Sequence, residues 1–442
     1  MSERVAWHEL SKLSEQERFA LLIRTEDDLS YFLERVAPIV EAVRTDGDVA
    51  LARFAREFDK AEIEPHQIAV TKAEFAEAFA ALEPEMIETL EYSADNIRRF
   101  HEEQRPGEMW MKEIRPGVLV GERFTPVDSV ALYSPRGKGS FPSMTLMTSI
   151  PAVVAGVRLP IILTPPGPDG KVDAATLVAA KLAGVERVYK VGGGQAVAAA
   201  AFGTKSIPQC CKIEGPGSPW FIAAKRLLQG KISSRLPAGP SESILLADET
   251  ASPCIAALDL LIESEHGSDS SVFLVTWSRP VAEAIRAAVP AHWARMGTQR
   301  VNYSTAVLGG TKGGIVLADS PQQAYDFIND YAPEHLQILS KSPFEHLSRI
   351  RNASEILLGE YTPSSIANYM MGPNAVLPTS GAARAHSPLG VHDFLKSTSI
   401  GHMTLNGYSE MAPHTYRFAK YEGFDAHANS VSSLRYLGRV LD

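Results

Sequence analysis

The spacing of apolar residues divides the chain into a helix-rich beginning, an alternating middle and a polar, helical end. From residue 8 to about 105, apolar residues recur every three or four positions, as they do on the buried face of an amphipathic helix. Thr25 and Thr71 stand at the start of two such runs, and Thr71 with Glu74 matches the capping-box pattern. We therefore expect this part of the chain to be mostly helical.

Short apolar runs bounded by glycine or proline follow, and helical segments lie between them. Alternation of this kind is typical of a parallel sheet with crossover helices. After Gly381 the pattern is polar and helical again. The runs predicted to be strands are SVALYSP (129–135), LPIILTPPG (159–167), VERVYKVGGG (185–194), ESILLADE (242–249), SVFLVTWS (271–278), GGIVLAD (313–319) and LQILS (336–340).

The composition argues against several classes of protein. Hydrophobic residues at 45% and charged residues at 21% are ordinary for a globular chain of 442 residues. A formal charge of −9 without a basic run argues against nucleic acid as a partner. No apolar run reaches the ~18–20 residues of a membrane span, and the first residues lack a signal-peptide layout. The three cysteines (Cys210, Cys211 and Cys254) make no disulfide framework, so we expect a multi-domain cytoplasmic protein.

Glu263 and His266 are the first candidate metal ligands. They stand three residues apart inside LDLLIESEHGSDS, so a helix places both side chains on one face, where they can converge on one ion. Asn368 and His427 complete a four-ligand shell if the fold brings them in. A solvated helix face is the alternative, and the pair alone does not decide between the two.

Glu334 and His335 are the candidate acid/base pair. They follow a tight Ala-Pro step and precede the apolar run LQILS. Catalytic groups favour loops at the strand ends of α/β folds, and an imidazole beside a carboxylate can act as a general base near neutral pH. A chance Glu-His pair in a loop is the alternative. His392 and Lys396 lie one helical turn apart and either hold an anion or face water.

Three glycine-rich turns are candidate nucleotide contacts. VGGGQAVAAAAFG (191–203) reads as strand, turn and helix, an arrangement that brings backbone N–H groups to a phosphate. Close helix packing is the alternative explanation. ALYSPRGKGSFPS (131–143) places Tyr133 to stack on a base, or else Tyr133 is a buried strand-end tyrosine. Loop chemistry alone explains GPGSP (215–219).

Taken in order, these blocks resemble the histidinol dehydrogenase family over nearly the whole chain. The resemblance implies a zinc-dependent, NAD-linked homodimer that oxidises a small primary alcohol to a carboxylate in two hydride transfers. It also implies an α/β fold with two incomplete Rossmann-like domains and mainly parallel sheets, a helical N-terminal segment and a small helical C-terminal segment. The blocks that carry the resemblance are LYSPRG, GGGQA, KIEGPG, PAGPSE, ESEHG, YAPEH, NYMMGPNAVLPTSG, DFLK and EGFDAHA.

The resemblance also implies a domain arrangement and a set of functional residues. The expected domains are an N-terminal helical segment (1–25), a metal and catalytic α/β domain (26–128 plus 240–381), a nucleotide-binding Rossmann-like domain (129–239), and a C-terminal segment (382–442) that reaches the partner subunit's active site. The implied roles are metal binding by Glu263, His266, Asn368 and His427, acid/base catalysis by Glu334 and His335, substrate contact by Ser241 and Glu422, and nucleotide contact by Tyr133, Gln195 and Ser218.

Several residues depart from the family's usual pattern. The family usually has Gln at the place of Glu263 and Asp at the place of Asn368, so carboxylate and amide have exchanged places. Ala375 stands where histidinol enzymes typically carry His, Arg136 replaces a glycine, and Ser218 replaces an asparagine. The exchange leaves the net charge of the shell unchanged and moves the negative charge relative to the substrate. A substrate with hydroxyls and a fixed anion should prefer removal of acids and addition of cations, and Arg136 adds a cation.

These departures favour a branch of the family that oxidises 2,3-dihydroxypropane-1-sulfonate to 3-sulfolactate. The alternatives are a histidinol dehydrogenase with drifted ligands, an inactive zinc-stabilised protein that binds a metabolite, and a zinc-independent NAD-binding regulator. The residues that could hold the anionic group of the substrate are Arg136, Arg384, His386, His392 and Lys396.

Overall fold

The computed structural model describes residues 5–23, 29–136, 139–234 and 239–437. The helix start predicted at Thr25 lies outside these ranges. Two compact units are present, one formed by residues 1–104 with 127–394 and the other by residues 105–126 with 395–442, each within the described ranges.

Helices and strands alternate through most of the described chain. The helices are α1 (Glu15–Ala20), α2 (Ser30–Asp46), α3 (Asp48–Phe54), α4 (Lys72–Ala81), α5 (Pro84–Glu103), α6 (Pro142–Ala155), α7 (Ala174–Ala183), α8 (Gly193–Phe202), α9 (Pro219–Leu227), α10 (Pro253–Asp259), α11 (Arg279–Trp293), α12 (Thr298–Leu308), α13 (Pro321–Tyr331), α14 (Ser364–Tyr369), α15 (Leu405–Tyr421), α16 (Asp425–Ser430) and α17 (Leu434–Leu437). The strands are β1 (Trp7–Glu9), β2 (Met109–Arg115), β3 (Val118–Pro126), β4 (Ser129–Tyr133), β5 (Leu159–Thr164), β6 (Val188–Lys190), β7 (Lys212–Glu214), β8 (Glu242–Ala247), β9 (Ser271–Thr276), β10 (Gly313–Leu317), β11 (His335–Leu339), β12 (Glu355–Leu358) and β13 (Leu395–Met403).

The larger sheet of the first unit has six parallel strands in the order β1-β10-β9-β8-β11-β12. Helices cover such sheets on both faces, so the strands are mostly apolar, and β8 to β11 are buried throughout. The predicted strands at 242–249, 271–278, 313–319 and 336–340 are confirmed as β8, β9, β10 and β11. The edge strands β1 and β12 were not predicted, because each is only three or four residues long.

The smaller sheet of the first unit has four parallel strands in the order β6-β5-β4-β7. The three strands predicted between 129 and 194 are confirmed as β4, β5 and β6. Helix α8 packs closely against α2, since a Cβ on Gly194 would lie 2.4 Å from Val36 Cγ2. The capping box at α4 is also confirmed, with Thr71 N–H donating to Glu74 Oε2 at 2.8 Å.

The second unit is an antiparallel sheet with three helices. Its strand order is β13-β3-β2, and β13 pairs with β3 from Leu395 opposite Pro126 to Met403 opposite Val118. The segment after Gly381 was expected to be helical; α15, α16 and α17 agree, whereas β13 adds a strand that the pattern did not predict. Its sequence LKSTSIGHM is mostly polar and exposed, so it lacks the apolar alternation of a half-buried strand. None of the helices in the described ranges is long and apolar enough to cross a membrane.

Candidate active site

The acid/base and metal candidates of the first unit meet at the amino ends of the six-stranded sheet. His335 is the first residue of β11, Glu355 is the first residue of β12, and Ser241 comes directly before β8. Because these strands are parallel, their first residues lie along one edge. Open α/β sheets usually bind ligands at the carboxyl ends of their strands, so this site uses the opposite edge.

Ala332, which has a left-handed backbone conformation, connects α13 to this edge of the sheet. Ala332 has φ 53° and caps α13, and its N–H donates to Ile328 O at 2.8 Å. A buried non-glycine residue with this backbone conformation is strained by about 1–3 kcal/mol, and such strain persists where the surrounding structure holds it. The reversal, followed by Pro333, places Glu334 and His335 side by side at the start of β11.

Glu334 and His335 are both buried, with 8% and 4% of their surfaces exposed. Glu334 Oε2 accepts a hydrogen bond from the Glu242 N–H at 2.9 Å. His335 Nδ1 lies 2.8 Å from Glu355 Oε2, and its Nε2 lies 3.8 Å from Glu334 Oε1. The imidazole therefore lies between two carboxylates and can exchange a proton at Nε2.

The surroundings raise the pKa of both groups. Burial raises the pKa of Glu334, because a desolvated carboxylate is less stable, and the nearby Glu263 carboxylate adds to the effect. Burial lowers the pKa of His335, but Glu334, Glu263 and Glu355 outweigh it and raise the pKa overall. A perturbed acid and base in contact are typical of catalytic sites.

The metal candidates Glu263, His266 and Asn368 lie together. The helix predicted to carry Glu263 and His266 ends earlier, at Asp259. Glu263 to Glu265 form one 3₁₀ turn instead, and this turn also brings Glu263 and His266 together. His266 Nδ1 lies 2.9 Å from Glu263 Oε2, and Asn368 Nδ2 donates to Glu263 Oε1 at 3.1 Å. Ser241 Oγ, a predicted substrate contact, lies 2.9 Å from the same His266 nitrogen.

Two buried oxygen atoms of this group lack a well-formed hydrogen bond from the described residues. Asn368 Oδ1 has no hydrogen-bond partner among them, and Glu263 Oε2 has only the ion-pair contact with His266 Nδ1 at 2.9 Å. An unsatisfied buried oxygen destabilises the folded state by about 1–3 kcal/mol, and a divalent cation would bind both oxygens. Burial raises the pKa of Glu263, but His266 and His335 outweigh it and lower the pKa to about 2, so the carboxylate is ionised.

The residues present therefore fit a zinc ion, for which imidazole and oxygen are ordinary ligands. Within the described ranges, no three His, Cys, Asp or Glu side chains group as metal ligands. Asn368, the third of the converging side chains here, supplies an amide oxygen.

The predicted residues His427 and Glu422 belong to the second unit. His427 lies on α16, where its ring is 5.2 Å from that of Phe424, and Glu422 caps the end of α15. Both side chains are exposed. Their roles as metal ligand and substrate contact stay predictions.

The predicted nucleotide contacts lie at the carboxyl ends of the four-stranded sheet, the usual edge for dinucleotides. Tyr133 ends β4; its ring is buried against Phe221 at 4.1 Å, and its hydroxyl accepts a hydrogen bond from Gly193 N–H at 3.0 Å. This geometry matches the alternative of a buried strand-end tyrosine. Gln195 is buried in the first turn of α8, and Ser218 is an exposed residue at the start of α9. Nucleotide contact by these residues stays a prediction.

Arg136 lies at the same edge of the four-stranded sheet. A Cβ on Gly167 would lie 2.3 Å from Arg136 Nη1, so the guanidinium packs on this glycine. Burial raises the pKa of Asp59 to about 6, and Arg136 partly opposes that rise. Arg136 therefore lies among the predicted nucleotide contacts.

A cavity of about 440 Å³ lies beside β12. Glu355, His386 and His392 are among its lining residues, so two of the candidate anion holders share a cavity with the carboxylate that contacts His335. Of the other candidates, Arg384 donates to the Asp330 carbonyl, and Lys396 lies on β13 of the second unit.

Glu355 and Glu242 are the site residues that sequence reasoning missed. Each opens a buried strand, EILL in β12 and ESILLA in β8, and each is at least nine-tenths buried. In the sequence, each is a glutamate that directly precedes a run of apolar residues. Because a carboxylate is rarely buried without a partner, this pattern could have indicated a functional or paired residue.

Comparison with known proteins identifies the family. The family model described as histidinol dehydrogenase matches residues 22–435. A protein of Colwellia psychrerythraea named histidinol dehydrogenase homolog is 60% identical over 435 residues, covering 98% of each chain. The histidinol dehydrogenase of a Synechocystis species is 46% identical over 422 residues, covering 96% of this chain and 97% of that one. The crystal structure of histidinol dehydrogenase from Elizabethkingia anophelis superposes with a TM-score of 0.92 at 30% identity, covering 98% of this chain and 99% of that one. This chain belongs to the histidinol dehydrogenase family.

Proposed function

We propose that this protein oxidises a small primary alcohol to a carboxylate in two NAD-linked steps, and that the alcohol is 2,3-dihydroxypropane-1-sulfonate. The observation that carries the proposal is the buried Glu334–His335 pair at one sheet edge with Glu263, His266 and Asn368. This arrangement combines a general base with a set of metal ligands. Family membership supports the reaction type, and the departures from the family pattern support the substrate.

His335 acts as the base for the alcohol. Its Nε2 takes the hydroxyl proton as hydride leaves the carbon, which yields an aldehyde. Glu334, held by the Glu242 N–H, then takes a proton from a water that adds to the aldehyde, while His335 returns its proton to the aldehyde oxygen and becomes neutral again, which gives a diol. His335 accepts a second proton when the resulting diol loses hydride. Burial of both side chains keeps bulk water from the aldehyde between the steps.

Two bound groups complete the chemistry. A zinc ion held by Glu263, His266 and Asn368 would supply a template for the substrate oxygens. A nicotinamide nucleotide at the carboxyl edge of the four-stranded sheet would accept the hydride. The residues of the chain then position the alcohol and move its protons.

The substrate assignment rests on charge. The shell that Glu263 and Asn368 form keeps one carboxylate and one amide, whereas Ala375 removes a histidine that histidinol enzymes typically have. A sulfonated diol brings a permanent anion and needs cations, and His386 and His392 lie at the cavity beside Glu355. The relative at 60% identity is named a homolog of histidinol dehydrogenase, and the relative at 46% carries the enzyme's own name.

L-Histidinol is the second candidate substrate. It is favoured by the histidinol dehydrogenase structure that superposes over nearly the whole chain. A matched pair of assays decides between the two: NADH formation by zinc-loaded protein with L-histidinol and with racemic 2,3-dihydroxypropane-1-sulfonate, each over a range of concentrations. We expect a higher kcat/KM for the sulfonate, and a higher value for histidinol would overturn the substrate assignment.

We also propose that the protein is a homodimer whose sites take His427 and Glu422 from the partner subunit. The resemblance to the family supports this, as does the exposure of both side chains in a unit with large exposed aromatic residues. They include Phe418, Tyr421 and Phe424, with 68%, 93% and 53% of their surfaces exposed. Exposed apolar groups of this size are typical of surfaces that bind another protein.

A further inference from the structure

The start of strand β12, at Ser354 and Glu355, makes hydrogen bonds to the segment that carries both acid/base residues. The Ser354 N–H donates to Pro333 O and the Glu355 N–H donates to Glu334 O, each at 3.0 Å. Glu355 also pairs directly with His335 in the register of the two strands, and their side chains meet at 2.8 Å. Glu355 therefore contacts the backbone of one catalytic residue and the imidazole of the other.

The contact between Glu355 and His335 is buried from water. Glu355 is 9% exposed and His335 is 4% exposed, so solvent screens the hydrogen bond little. A carboxylate can only accept at this distance, so the imidazole must donate from Nδ1. The neutral ring then has its lone pair on Nε2, the nitrogen that lies 3.8 Å from Glu334.

We propose that Glu355 is a positioning residue that keeps the proton of neutral His335 on Nδ1 and leaves Nε2 free to take the alcohol proton. The inference rests on the proposed function of His335. Without Glu355, the ring would be free to donate from Nε2 to the Glu334 carboxylate instead. Its Nε2 would then carry a proton and could not act as a base.

The first test compares two substitutions of Glu355. Glu355→Gln keeps a carbonyl acceptor for Nδ1 but removes the charge, and Glu355→Ala removes both. We expect kcat to fall about 10-fold and about 10²-fold respectively, with KM for the alcohol changed less than about threefold, because the contact serves proton transfer. Equal losses in KM and kcat, or no loss in Glu355→Ala, would overturn the proposal.

A matched control lies just beyond the other end of the same strand. Glu360 Oε1 accepts the Ser252 N–H at 2.6 Å and does not contact His335. Glu360→Gln makes the same chemical change at this position, and kcat should stay within about twofold of the parent. A loss in the control as large as in Glu355→Gln would show that any carboxylate near β12 matters, which contradicts a specific role.

A double-mutant cycle tests whether Glu355 acts through His335. In a His335→Asn background, Glu355→Ala should cause no further loss of turnover, since the group it positions is absent. Losses that add instead would mean that Glu355 acts by another route and would overturn the inference.

A spectroscopic measurement separates this inference from the proposed function. In zinc-loaded protein with ¹⁵N-labelled histidine, the His335 signals, assigned by their loss in His335→Asn, should show a proton on Nδ1 of the neutral ring at a pH above the raised pKa of His335. In Glu355→Ala the proton should appear on Nε2. A neutral ring protonated at Nε2 in the parent protein overturns the inference. If the Nδ1 result holds and no alcohol is oxidised, the proposed function fails while the positioning by Glu355 stands.

Discussion

Asn368 donates its side-chain amide to Glu263 Oε1 at 3.1 Å, so the two proposed metal ligands at which the sequence analysis expects a departure from the family pattern contact each other. Exchange of amide and carboxylate across one hydrogen bond preserves the contact and reverses its donor and acceptor. The same exchange leaves one anion in the shell. We therefore expect the two departures to be coupled, which the sequence could not show because the residues are 105 positions apart.

This coupling predicts the behaviour of three variants. Glu263→Gln leaves no anion in the group, so it should weaken zinc binding by about 10-fold or more, whereas Asn368→Asp adds a second carboxylate whose repulsion zinc relieves, so it should strengthen zinc binding. The double variant restores one anion and one amide, and its zinc affinity should return to within about threefold of the parent. Competition with a chromogenic chelator measures all three affinities. A double variant that binds zinc as weakly as Glu263→Gln would contradict the coupling.

Removal of the base should stop turnover without unfolding the protein. His335→Asn keeps a polar side chain of similar size, and we expect kcat to fall about 10²–10⁴-fold, the usual contribution of positioned proton transfer. Thermal unfolding and zinc content should stay close to those of the parent. A variant with full activity would exclude His335 as the base.

A shared active site predicts that two inactive variants complement each other. His335→Asn and His427→Ala are each expected to lack turnover. After mixing and reassembly, half of the dimers are mixed, and each of these has one intact site if His427 comes from the partner. About a quarter of the parent activity should therefore return. No recovery, with mixed dimers demonstrated by differential tags, would place His427 and His335 of one subunit in the same site.

Asp59 gives a prediction about stability and pH. Burial raises its pKa to about 6, from the usual 3.8, and Oδ2 has no hydrogen-bond donor. The folded state binds this proton more tightly than the unfolded state does. Protonation of Asp59 therefore contributes fully to the free energy of unfolding below pH 3.8, and this contribution is lost as pH rises through about 6. The Asp59→Asn variant has no ionisable group at this position, so it does not lose this contribution. The difference between its free energy of unfolding and that of the parent should therefore grow by ~1 kcal/mol in favour of the variant between pH 5 and pH 7, after allowance for solvent screening.

Urea unfolding of zinc-free protein at both pH values measures this difference, and Asp169→Asn, at an ionisable residue on a nearby loop, serves as the control. An advantage of Asp59→Asn that stays constant with pH would contradict the assignment of the shift to this carboxyl group.

The interior strands and the sequence blocks that carry the candidate site could be predicted from the sequence. The residues that contact the site from other parts of the chain could not. Strands β8 to β11 are mostly apolar because helices cover such sheets, so the sequence pattern carries their signal. Glu334 and His335 are adjacent in the chain, so the sequence alone shows that they lie close together. Glu355 is 20 residues from His335, and only the pairing of β11 with β12 brings them together.

Other features depend on tertiary context in the same way. β13 is polar and exposed, and its pairing with β3 through backbone hydrogen bonds leaves no apolar pattern. Glu334 and His335 precede the predicted strand 336–340, which puts them at its amino end, whereas the usual rule for open α/β sheets points to the carboxyl ends. The fold adds that Ser241 and Glu355 lie at the amino ends of the neighbouring strands.

The most direct test of the account is the number of NADH molecules formed per molecule of alcohol. Zinc-loaded protein would be given limiting 2,3-dihydroxypropane-1-sulfonate of one configuration and excess NAD, and both the nucleotide and the organic product would be followed to completion. The account predicts two NADH per substrate and a carboxylate as the product, because the buried Glu334–His335 pair serves both oxidations. One NADH per substrate with release of the aldehyde, or no oxidation by fully zinc-loaded protein, would contradict it.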